Sequence, residues 1–555
     1  MTLFDYQQYF PFQDIRTEQH DAIQFALNAF MNEGKKFVIL EIGTGGGKSA
    51  IAITLARYLA AHGGKTYTDD ASVETSGAYV LTTQKILQAQ YMADFGQSSG
   101  RDLTRSIKSA SDYECRFYSD MTCSDSKRLL KQVGKKLDGT EFQKCCRQSC
   151  PYTLDKEEFI NFPISVTNFS YFFAETMYAK QLLPRGLLVI DEAHNIESQL
   201  GKIIEVTFSE KFARNLRCKI PKLDTQDAVF SWIKGPYKNA VSKEMNEYKK
   251  KMSAHFNENN DADSHELSDV SKRYEMLDKH ICKINRFIEV YSPDNWIMNL
   301  VKSSSSDKRG DRKFEFKPID VSSYGNKFLY KFGSRVVMMS ATIVDKVTFC
   351  KSTGIAEEQV AFLRIASPFP VANRPVHFLN VGSMSRSNIE NTLPAMAKII
   401  KDLLSLHKKE KGIIHTVNYR VAKYIVDTVK SPRLLLHDSS NREEMIEFHM
   451  KSPDATVLIS PSMAEGIDLA DDASRFQILC KVPFPYLGDQ VVQLRKQKID
   501  GWYACQTARS VIQAFGRSIR NDKDRATSYI LDSDWERFYR NNRNMFPSEF
   551  SSALT

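Results

Sequence analysis

Short apolar runs rich in branched residues alternate with helical patterns along much of this 555-residue chain. The first three runs are residues 37–40, 78–81 and 187–190, and glycine or polar residues follow each of them. Buried strands that end in this way are typical of a parallel sheet whose carboxyl edge forms a site. The same α/β pattern resumes later in the chain, with strands predicted at residues 336–339, 412–415, 434–436, 457–459 and 478–480.

Residues 205–325 have a different pattern. Apolar residues recur at spacings of three and four along residues 241–256 and again along residues 267–287. These repeats predict two helices, joined through the polar residues 257–264 into an antiparallel hairpin. A serine run at residues 303–306, followed by residues 307–310, predicts a flexible loop. We therefore predict an all-helical insertion between parts of the α/β fold.

The composition is that of an ordinary globular protein, with 42% hydrophobic and 26% charged residues. No stretch approaches the ~20 apolar residues of a membrane-spanning helix. Residues 1–12 lack the basic region of a signal peptide, so we expect a cytoplasmic protein with reduced thiols and no membrane contact. The net charge of +9 is compatible with a surface that binds polyanions and equally with an ordinary basic surface.

The first apolar run leads into a glycine-rich segment. A tight glycine turn directs backbone N–H groups inward, and the following helix adds the positive end of its dipole, so phosphates bind there. Lys48 would then reach the outer phosphates, and the Ser49 hydroxyl would bind magnesium. Ile42 departs from the strict pattern, which has glycine at that position, and a glycine turn without a ligand is the alternative. The segment consists of Gly43, Thr44, Gly45, Gly46, Gly47, Lys48 and Ser49.

The third apolar run is followed by the segment Asp191-Glu192-Ala193-His194. Asp191 would hold the magnesium ion, and Glu192 would orient and deprotonate the attacking water. Paired acids after a strand are usually a solvated loop. Their position downstream of a glycine-rich phosphate segment favours the catalytic interpretation here.

Near the C-terminus, Arg517 and Arg520 lie three residues apart on one face of a predicted helix that also carries Gln513. A guanidinium group can neutralise charge on a transferring phosphoryl group. If a second lobe supplies these arginines, hydrolysis requires the lobes to close, which couples chemistry to motion. A basic surface helix is the alternative.

Half of the ten cysteines fall in one short segment. Thiols crowded in this way in a reducing compartment predict a metal site, and their spacing alone fits a structural zinc ion as well as an iron–sulfur cluster. Four ligands are needed, so one of the adjacent Cys145 and Cys146 is predicted to be spare. The five candidates are Cys115, Cys123, Cys145, Cys146 and Cys150. The other five cysteines are predicted to be simple buried thiols.

Taken in order, these motifs resemble the XPD/DinG-like iron–sulfur helicases of superfamily 2. Gln19, in the segment Arg16-Thr17-Glu18-Gln19, is similar to the family's adenine-contact residue. Each short match is weak alone, but the matches follow the family's order through most of the chain. The further matching segments are Leu81-Thr82-Thr83-Gln84, Val166-Thr167-Asn168-Phe169, Ser340-Ala341-Thr342, Glu465-Gly466-Ile467-Asp468 and Lys481-Val482-Pro483-Phe484-Pro485.

The resemblance implies an α/β fold with two RecA-like parallel-sheet lobes, an Fe–S insertion domain and an all-helical arch insertion. The first lobe would comprise residues 1–98, 161–204 and 326–354. The cysteine-rich insertion would comprise residues 99–160, the arch residues 205–325, and the second lobe residues 355–555.

The motifs and the resemblance together define the predicted site. The predicted cofactors are ATP, Mg²⁺ and a [4Fe–4S] cluster whose candidate ligands are the five clustered cysteines. The predicted catalytic residues are Lys48, Asp191, Glu192, Arg517 and Arg520. The predicted nucleotide-binding positions are Gln19, all seven residues of the glycine segment, Asp191, Glu465, Gly466, Asp468 and Gln513.

We therefore expect a monomeric, ATP-dependent DNA helicase with a DEAH box that acts on single-stranded and forked DNA in DNA repair. The resemblance implies movement from 5′ to 3′, strand separation at the cysteine-rich domain, and replication or repair proteins as partners. One alternative is a P-loop ATPase that remodels proteins or protein–nucleic-acid complexes without processive unwinding. Another is a zinc-stabilised nucleic-acid-binding module with vestigial ATP sites.

Overall fold

A computed structural model describes residues 4–62, 66–67, 74–96, 103–118, 121–133, 140–258, 265–302, 311–437, 441–461, 469, 471–516, 518–519, 521 and 523–555. The strands, in chain order, are β1 (Phe37–Ile42), β2 (Thr66–Tyr67), β3 (Glu74–Thr75), β4 (Ala78–Thr82), β5 (Thr104–Ser106), β6 (Ile164–Asn168), β7 (Arg185–Asp191), β8 (Val206–Ser209), β9 (Trp296–Lys302), β10 (Arg312–Pro318), β11 (Gly333–Ser340), β12 (Val360–Ile365), β13 (Val376–Gly382), β14 (Gly412–His415), β15 (Leu434–Leu436), β16 (Val457–Ser460), β17 (Phe476–Leu479) and β18 (Thr527–Asp532).

The α-helices, in the same order, are α1 (Thr17–Met31), α2 (Lys48–His62), α3 (Lys85–Phe95), α4 (Cys123–Val133), α5 (Glu141–Gln148), α6 (Pro151–Asn161), α7 (Phe169–Phe173), α8 (Ile196–Ile204), α9 (Glu210–Asn215), α10 (Gln226–Trp232), α11 (Lys238–Glu258), α12 (His265–Val290), α13 (Ser322–Phe328), α14 (Lys346–Thr353), α15 (Ile389–Leu406), α16 (Tyr419–Val429), α17 (Arg442–Lys451), α18 (Gln490–Lys498), α19 (Trp502–Phe515), α20 (Asp534–Asn541) and α21 (Ser548–Ala553). Within the described ranges, none is long and apolar enough to cross a membrane.

The first lobe is built on a seven-stranded sheet in the order β12-β1-β11-β7-β4-β6-β5, in which the paired strands are parallel. All residues of β1 are buried, and alternate ones belong to two separate hydrophobic clusters. A strand covered on both faces explains why its sequence is continuously apolar. The register places Glu41 opposite Ser340 and Met339 opposite Asp191, so the glycine segment and the acidic pair meet at one edge of the sheet.

The second lobe contains a six-stranded parallel sheet in the order β13-β18-β17-β14-β16-β15. The eight strands predicted from apolar runs all lie in or overlap strands of the two sheets, the last one beginning two residues earlier than predicted, at Phe476. The prediction of two RecA-like parallel-sheet lobes is confirmed.

Two predicted domain boundaries need correction. Strand β12 pairs with β1 in the first sheet, in the register Phe37 to Val360, so the first lobe extends beyond the predicted end at residue 354. Strand β5 pairs with β6 at the other edge of that sheet, although it lies within the predicted insertion 99–160. Strand β5 has only three residues, and β12 is apolar but lies beyond the predicted end of the lobe, so pairing assigns both strands to the lobe.

The insertion between β7 and β11 contains the predicted helical pair as α11 and α12, but it is not all-helical. Strands β8, β10 and β9 form a three-stranded antiparallel sheet beside the hairpin. In β10 the buried Phe314 and Phe316 alternate with charged residues. This period of two is a strand signal that the helical interpretation overlooked. Most of the predicted connection 257–264 and the predicted loop 303–310 lie outside the described residues.

The cysteine-rich segment contacts this insertion. Arg128 of α4 forms ion pairs with Asp125 and with Glu275 of α12. Phe142 and Cys146 of α5 share a small hydrophobic cluster with Met252 of α11. The two insertions therefore rest on each other as well as on the first lobe.

Candidate functional site

The glycine segment forms a loop between β1 and α2. Gly45 and Gly47 adopt φ angles of +83° and +73°, in the left-handed region that favours glycine. A Cβ atom on Gly47 would lie 2.0 Å from Nε2 of Gln19, so a larger residue would displace the Gln19 side chain as well as strain the backbone. The loop leads into the N-terminus of the 15-residue helix α2, which provides a positive dipole end for an anion.

Ile42 occupies the position at which the strict loop pattern has glycine. It is the last residue of β1 and is fully buried. Its Cγ2 atom lies 2.3 Å from where a Cβ atom of Gly46 would be. The loop accommodates Ile42 because Gly46 has no side chain.

Lys48 and Asp191 lie on either side of this loop. The Lys48 amine donates a hydrogen bond to the carbonyl of Ile42, at 3.3 Å. Asp191, at the end of β7, is only 5% exposed. Burial and the nearby Glu192 charge raise the pKa of Asp191 to about 6, while Lys48 acts in the opposite direction.

Tyr91 of α3 connects Asp191 to Ser49. Its hydroxyl donates to Asp191 Oδ2 at 3.0 Å and is also hydrogen-bonded to the Ser49 side chain. Burial, followed by the Asp191 charge, raises the pKa of Tyr91 well above its usual value. Sequence reasoning missed Tyr91, since nothing in its position two turns into α3 distinguishes it from a core aromatic residue.

The donor set around Tyr91 suits magnesium. Ser49 and Asp191 offer oxygen atoms, and Mg²⁺ is commonly bound through one or two protein oxygens, water and substrate phosphates. Because both groups hydrogen-bond to one hydroxyl, they are close enough to share an ion. The prediction that these two residues bind magnesium therefore fits the geometry.

Glu192 and His194 face the second lobe. Glu192 has a φ angle of +50°, and its Oε2 atom lies 3.2 Å from His194 Nδ1. His194 Nδ1 is also 2.8 Å from Ser340 Oγ, and His194 Nε2 is 2.8 Å from Gln513 Nε2. Because the Gln513 amide donates to Nε2, the proton of a neutral His194 is assigned to Nδ1.

Contacts to Thr342 complete this connection between the lobes. Gln513 Nε2 donates to Thr342 Oγ1 at 3.1 Å, and Arg509 Nε donates to the Thr342 carbonyl at 3.1 Å. Arg509 precedes Gln513 by one helical turn and therefore lies on the same face of the helix. Its place in the site was predictable from this spacing but was missed. A chain of side chains thus links the acidic pair of one lobe to α19 of the other.

His194, Thr342 and Gln513 line a cleft of about 800 Å³ between the lobes. Gly43, Glu192 and Gln513 lie along it, together with Thr83 and Gln84 at the end of β4. The cleft therefore joins the predicted nucleotide site to the segment that resembles a DNA-contact motif.

Gln19 lies beside the glycine loop. It is buried, and its Oε1 atom accepts from the Arg16 backbone N–H at 3.1 Å. Arg16 in turn donates to the Gly45 carbonyl at 2.8 Å. The predicted adenine-contact segment is thus held against the phosphate loop.

The segment that connects the two lobes also touches this loop, which sequence reasoning missed. Gly43 N–H donates to the Ile365 carbonyl at 3.1 Å, and Ser367 Oγ donates to the Thr44 carbonyl at 3.1 Å. The Phe369 ring covers Gly45 so closely that a Cβ atom there would overlap it. No sequence motif predicts these contacts, because they depend on the path of the chain after β12.

Several predicted site residues lie outside the described residues: Arg517, Arg520, Glu465, Gly466 and Asp468. Helix α19, which was predicted to carry both arginines, ends at Phe515, with Gly516 as its C-cap. Glycine commonly terminates helices, and the predicted positions of the two arginines lie outside the described residues.

The five clustered cysteines are near one another. Cys123 and Cys150 are buried, with their Sγ atoms 3.5 Å apart. Burial, and then the surrounding thiols of Cys115, Cys150, Cys145 and Cys123, raise the pKa of Cys146 to about 12. However, in the part of the chain that the structure describes, no three His, Cys, Asp or Glu side chains are arranged as a ready metal site.

Two protein families match parts of the chain. The helicase C-terminal domain matches residues 401–553, and the type III restriction enzyme res subunit matches residues 13–217. The first match lies in the second lobe, and the second match contains the glycine loop and the acidic pair.

Curated relatives match shorter segments. The regulator of telomere elongation helicase 1 homolog of Caenorhabditis briggsae is 31% identical over 109 residues, covering 17% of this chain and 11% of that protein. The ATP-dependent DNA helicase YoaA of Haemophilus influenzae is 25% identical over 226 residues, covering 37% of this chain and 34% of that protein. The chain thus matches only a minor part of the length of these relatives.

Solved structures match almost the whole chain in fold. An XPD helicase has a TM-score of 0.62 at 16% identity and covers 96% of this chain and 98% of its own. S. tokodaii Xpd4 has a TM-score of 0.57 at 13% identity and covers 97% and 99%. With the ordered motifs and the family matches, these findings confirm the resemblance. The chain is thus similar to the XPD/DinG-like helicases of superfamily 2 in its ordered motifs, in its two family matches and in its fold.

Proposed function

We propose that this protein is an ATP-dependent DNA helicase that moves along single-stranded DNA from 5′ to 3′ and separates duplex at its cysteine-rich domain. The observation that carries this proposal is the connection from Glu192 through His194 to Gln513. It places a residue of the second lobe against the acidic pair of the first. Hydrolysis is then sensitive to the relative position of the lobes, as a translocating motor requires.

In this proposal the residues in and beside the cleft have separate chemical roles. Lys48 and the loop N–H groups bind the outer phosphates, and Ser49 and Asp191 provide the oxygens for Mg²⁺, which would supply neutralising charge there when bound. Glu192 accepts the proton of the attacking water. Arg517 and Arg520 remain predicted to neutralise phosphoryl charge.

The proposed strand path follows the same cleft. Thr83 and Gln84 lie at the N-terminal end of α3, where side chains and backbone N–H groups can contact phosphates. Contacts of this kind carry no sequence information, so we expect binding to single-stranded and forked DNA without strong sequence preference. We expect a monomer to be sufficient, with replication or repair proteins as partners.

Unwinding of tailed duplexes tests the function. We expect ATP-dependent opening of a 5′-tailed duplex and no opening of a 3′-tailed duplex of the same sequence. If only the 3′-tailed substrate opens, the protein is a helicase that moves in the opposite direction to the one proposed. If neither substrate opens and single strands do not stimulate ATP hydrolysis, the remodelling ATPase is the better function.

We also propose that the clustered cysteines hold a metal centre, with a [4Fe–4S] cluster as the preferred occupant. The donor set fits, because five thiols lie close together. A bound centre would cross-link a segment that has only a small core of its own. The Sγ atoms of Cys123 and Cys150 are 3.5 Å apart, close to the roughly 3.8 Å between two thiolates on a tetrahedral zinc ion, so zinc is the alternative occupant.

Cys150→Ser is expected to remove the metal and unwinding while ATP hydrolysis persists, because the glycine loop and the acidic pair lie outside this segment. Metal content and visible absorbance of anaerobically purified protein measure the first effect. Cys282→Ser changes an exposed cysteine of α12 and serves as the matched control. Zinc in place of iron would correct the identity of the centre, and unchanged metal content in Cys150→Ser would exclude Cys150 as a ligand.

A further inference from the structure

In the proposed function Ser49 and Asp191 bind one magnesium ion, and Tyr91 connects these two residues. Ser49 lies in the first turn of α2, and Asp191 ends β7. The Tyr91 hydroxyl, which belongs to a third element, α3, contacts both side chains. Ser49 and Asp191, the two potential ligands, belong to separate parts of the chain.

The contact fixes the Asp191 carboxylate. A tyrosine with an ordinary pKa near 10 is protonated at neutral pH, so the phenol donates its proton to Oδ2 of Asp191. The backbone N–H of Glu192 donates to the other oxygen, Oδ1, at 2.9 Å. With a donor on each oxygen, the plane of the carboxylate is held in one orientation.

Tyr91 itself has little freedom to move. It is 2% exposed, and its ring lies 5.8 Å from the ring of Phe95 in the core of the first lobe. A buried hydroxyl needs a hydrogen-bond partner, and here the partner is a carboxylate of the site rather than a backbone carbonyl. Because the ring has little freedom to move, its hydroxyl holds the Asp191 and Ser49 side chains in place.

We propose that Tyr91 is a positioning residue for ATP hydrolysis. Through its hydroxyl it sets the orientation of Asp191 and the distance from Asp191 to Ser49, so that their oxygens are arranged for Mg²⁺ before the nucleotide arrives. It acts through these residues and does not contact the substrate. This inference rests on the proposed function.

Tyr91→Phe removes only the hydroxyl and tests this role. Loss of a group that orients a metal ligand commonly lowers metal affinity by about 10-fold to 100-fold. We therefore expect the Mg²⁺ concentration for half-maximal ATP hydrolysis to rise about 10-fold. The rate at saturating Mg²⁺ should fall much less, since the ligands themselves remain.

Calorimetric titration with ATP gives a second measurement that does not depend on turnover. The affinity of Tyr91→Phe for ATP should weaken in the presence of Mg²⁺ and match the unsubstituted protein in EDTA. Tyr79→Phe is the matched control, because its buried hydroxyl donates to the Leu183 carbonyl at 3.0 Å, away from the acidic pair. That control should leave both measurements unchanged.

The outcomes separate this inference from the proposed function. If the unsubstituted protein neither binds nor hydrolyses Mg-ATP, the proposed function fails. If it does both and Tyr91→Phe has the same Mg²⁺ dependence, or Tyr79→Phe shows an equal shift, the positioning role is overturned. Partial unfolding cannot imitate the expected result, because the half-maximal Mg²⁺ concentration does not depend on the fraction of folded protein.

Discussion

Lys48→Ala is expected to reduce ATP hydrolysis by about 10²-fold to 10³-fold, the effect of losing one fixed charge-stabilising donor. Lys48 is the first residue of α2, and its amine already lies over the glycine loop, 3.3 Å from the Ile42 carbonyl. Without it, the outer phosphates lose the positive group that faces them. Steady-state hydrolysis at saturating ATP and single-stranded DNA measures the effect.

Binding of single-stranded DNA should survive in the same variant, because Thr83 and Gln84 lie at a different part of the cleft. Lys351→Ala, which changes an exposed lysine of α14 in the first lobe, is a suitable control. Undiminished turnover in Lys48→Ala would show that residues 43–49 do not bind the phosphates.

Glu192→Gln is expected to slow hydrolysis by about 10²-fold to 10⁴-fold, the usual contribution of a general base. The amide preserves the size of the side chain but cannot accept the proton of the attacking water. Because Lys48, Ser49 and Asp191 are unchanged, nucleotide affinity should stay close to that of the unsubstituted protein. Single-turnover hydrolysis and calorimetric nucleotide binding measure the two properties separately.

Glu205→Gln alters an exposed glutamate that directly follows α8 and should have no effect on either property. A Glu192→Gln variant that hydrolyses ATP at the normal rate would remove Glu192 from the catalytic set. A variant that loses nucleotide affinity to the same extent as turnover would instead give Glu192 a role in binding.

Contacts between the lobes extend beyond the cleft. Glu197, buried in α8, accepts hydrogen bonds from Trp502 Nε1 at 2.9 Å and from Arg495 at 2.9 Å. A buried carboxylate depends on such partners to offset its loss of hydration. Helix α8 follows the acidic pair directly, so the second lobe contacts both the site and the helix next to it.

The local chemistry of the site was predictable from the sequence because each part of it is a local pattern. The glycine loop needs closely spaced residues with unusual φ angles and a following helix, and both requirements appear in residues 43–49. The acidic pair follows a buried strand in the same way. Register then confirmed that these two segments lie at one edge of the sheet.

Elements that lack a local pattern were missed or misplaced. The edge strand β5 is short and polar, and β12 is apolar but lies beyond the predicted lobe boundary, so only their pairing assigns them to the first sheet. The alternation in β10 is a local signal, but the neighbouring helical repeats obscured it. The helix with Gln513 was predicted to continue through Arg520, whereas it ends at Phe515.

The sequence by itself determined the two α/β lobes, the phosphate loop, the acidic pair and the concentration of cysteines, since periodicity and short motifs are properties of adjacent residues. Only the tertiary structure decided that Tyr91 holds Asp191 and Ser49 together, and that His194 connects Glu192 to Gln513. The contacts from Tyr91 to Asp191 and from His194 to Gln513 join residues 100 and 319 positions apart in the chain. They arise because parallel strands bring distant segments to one edge, which no local pattern encodes.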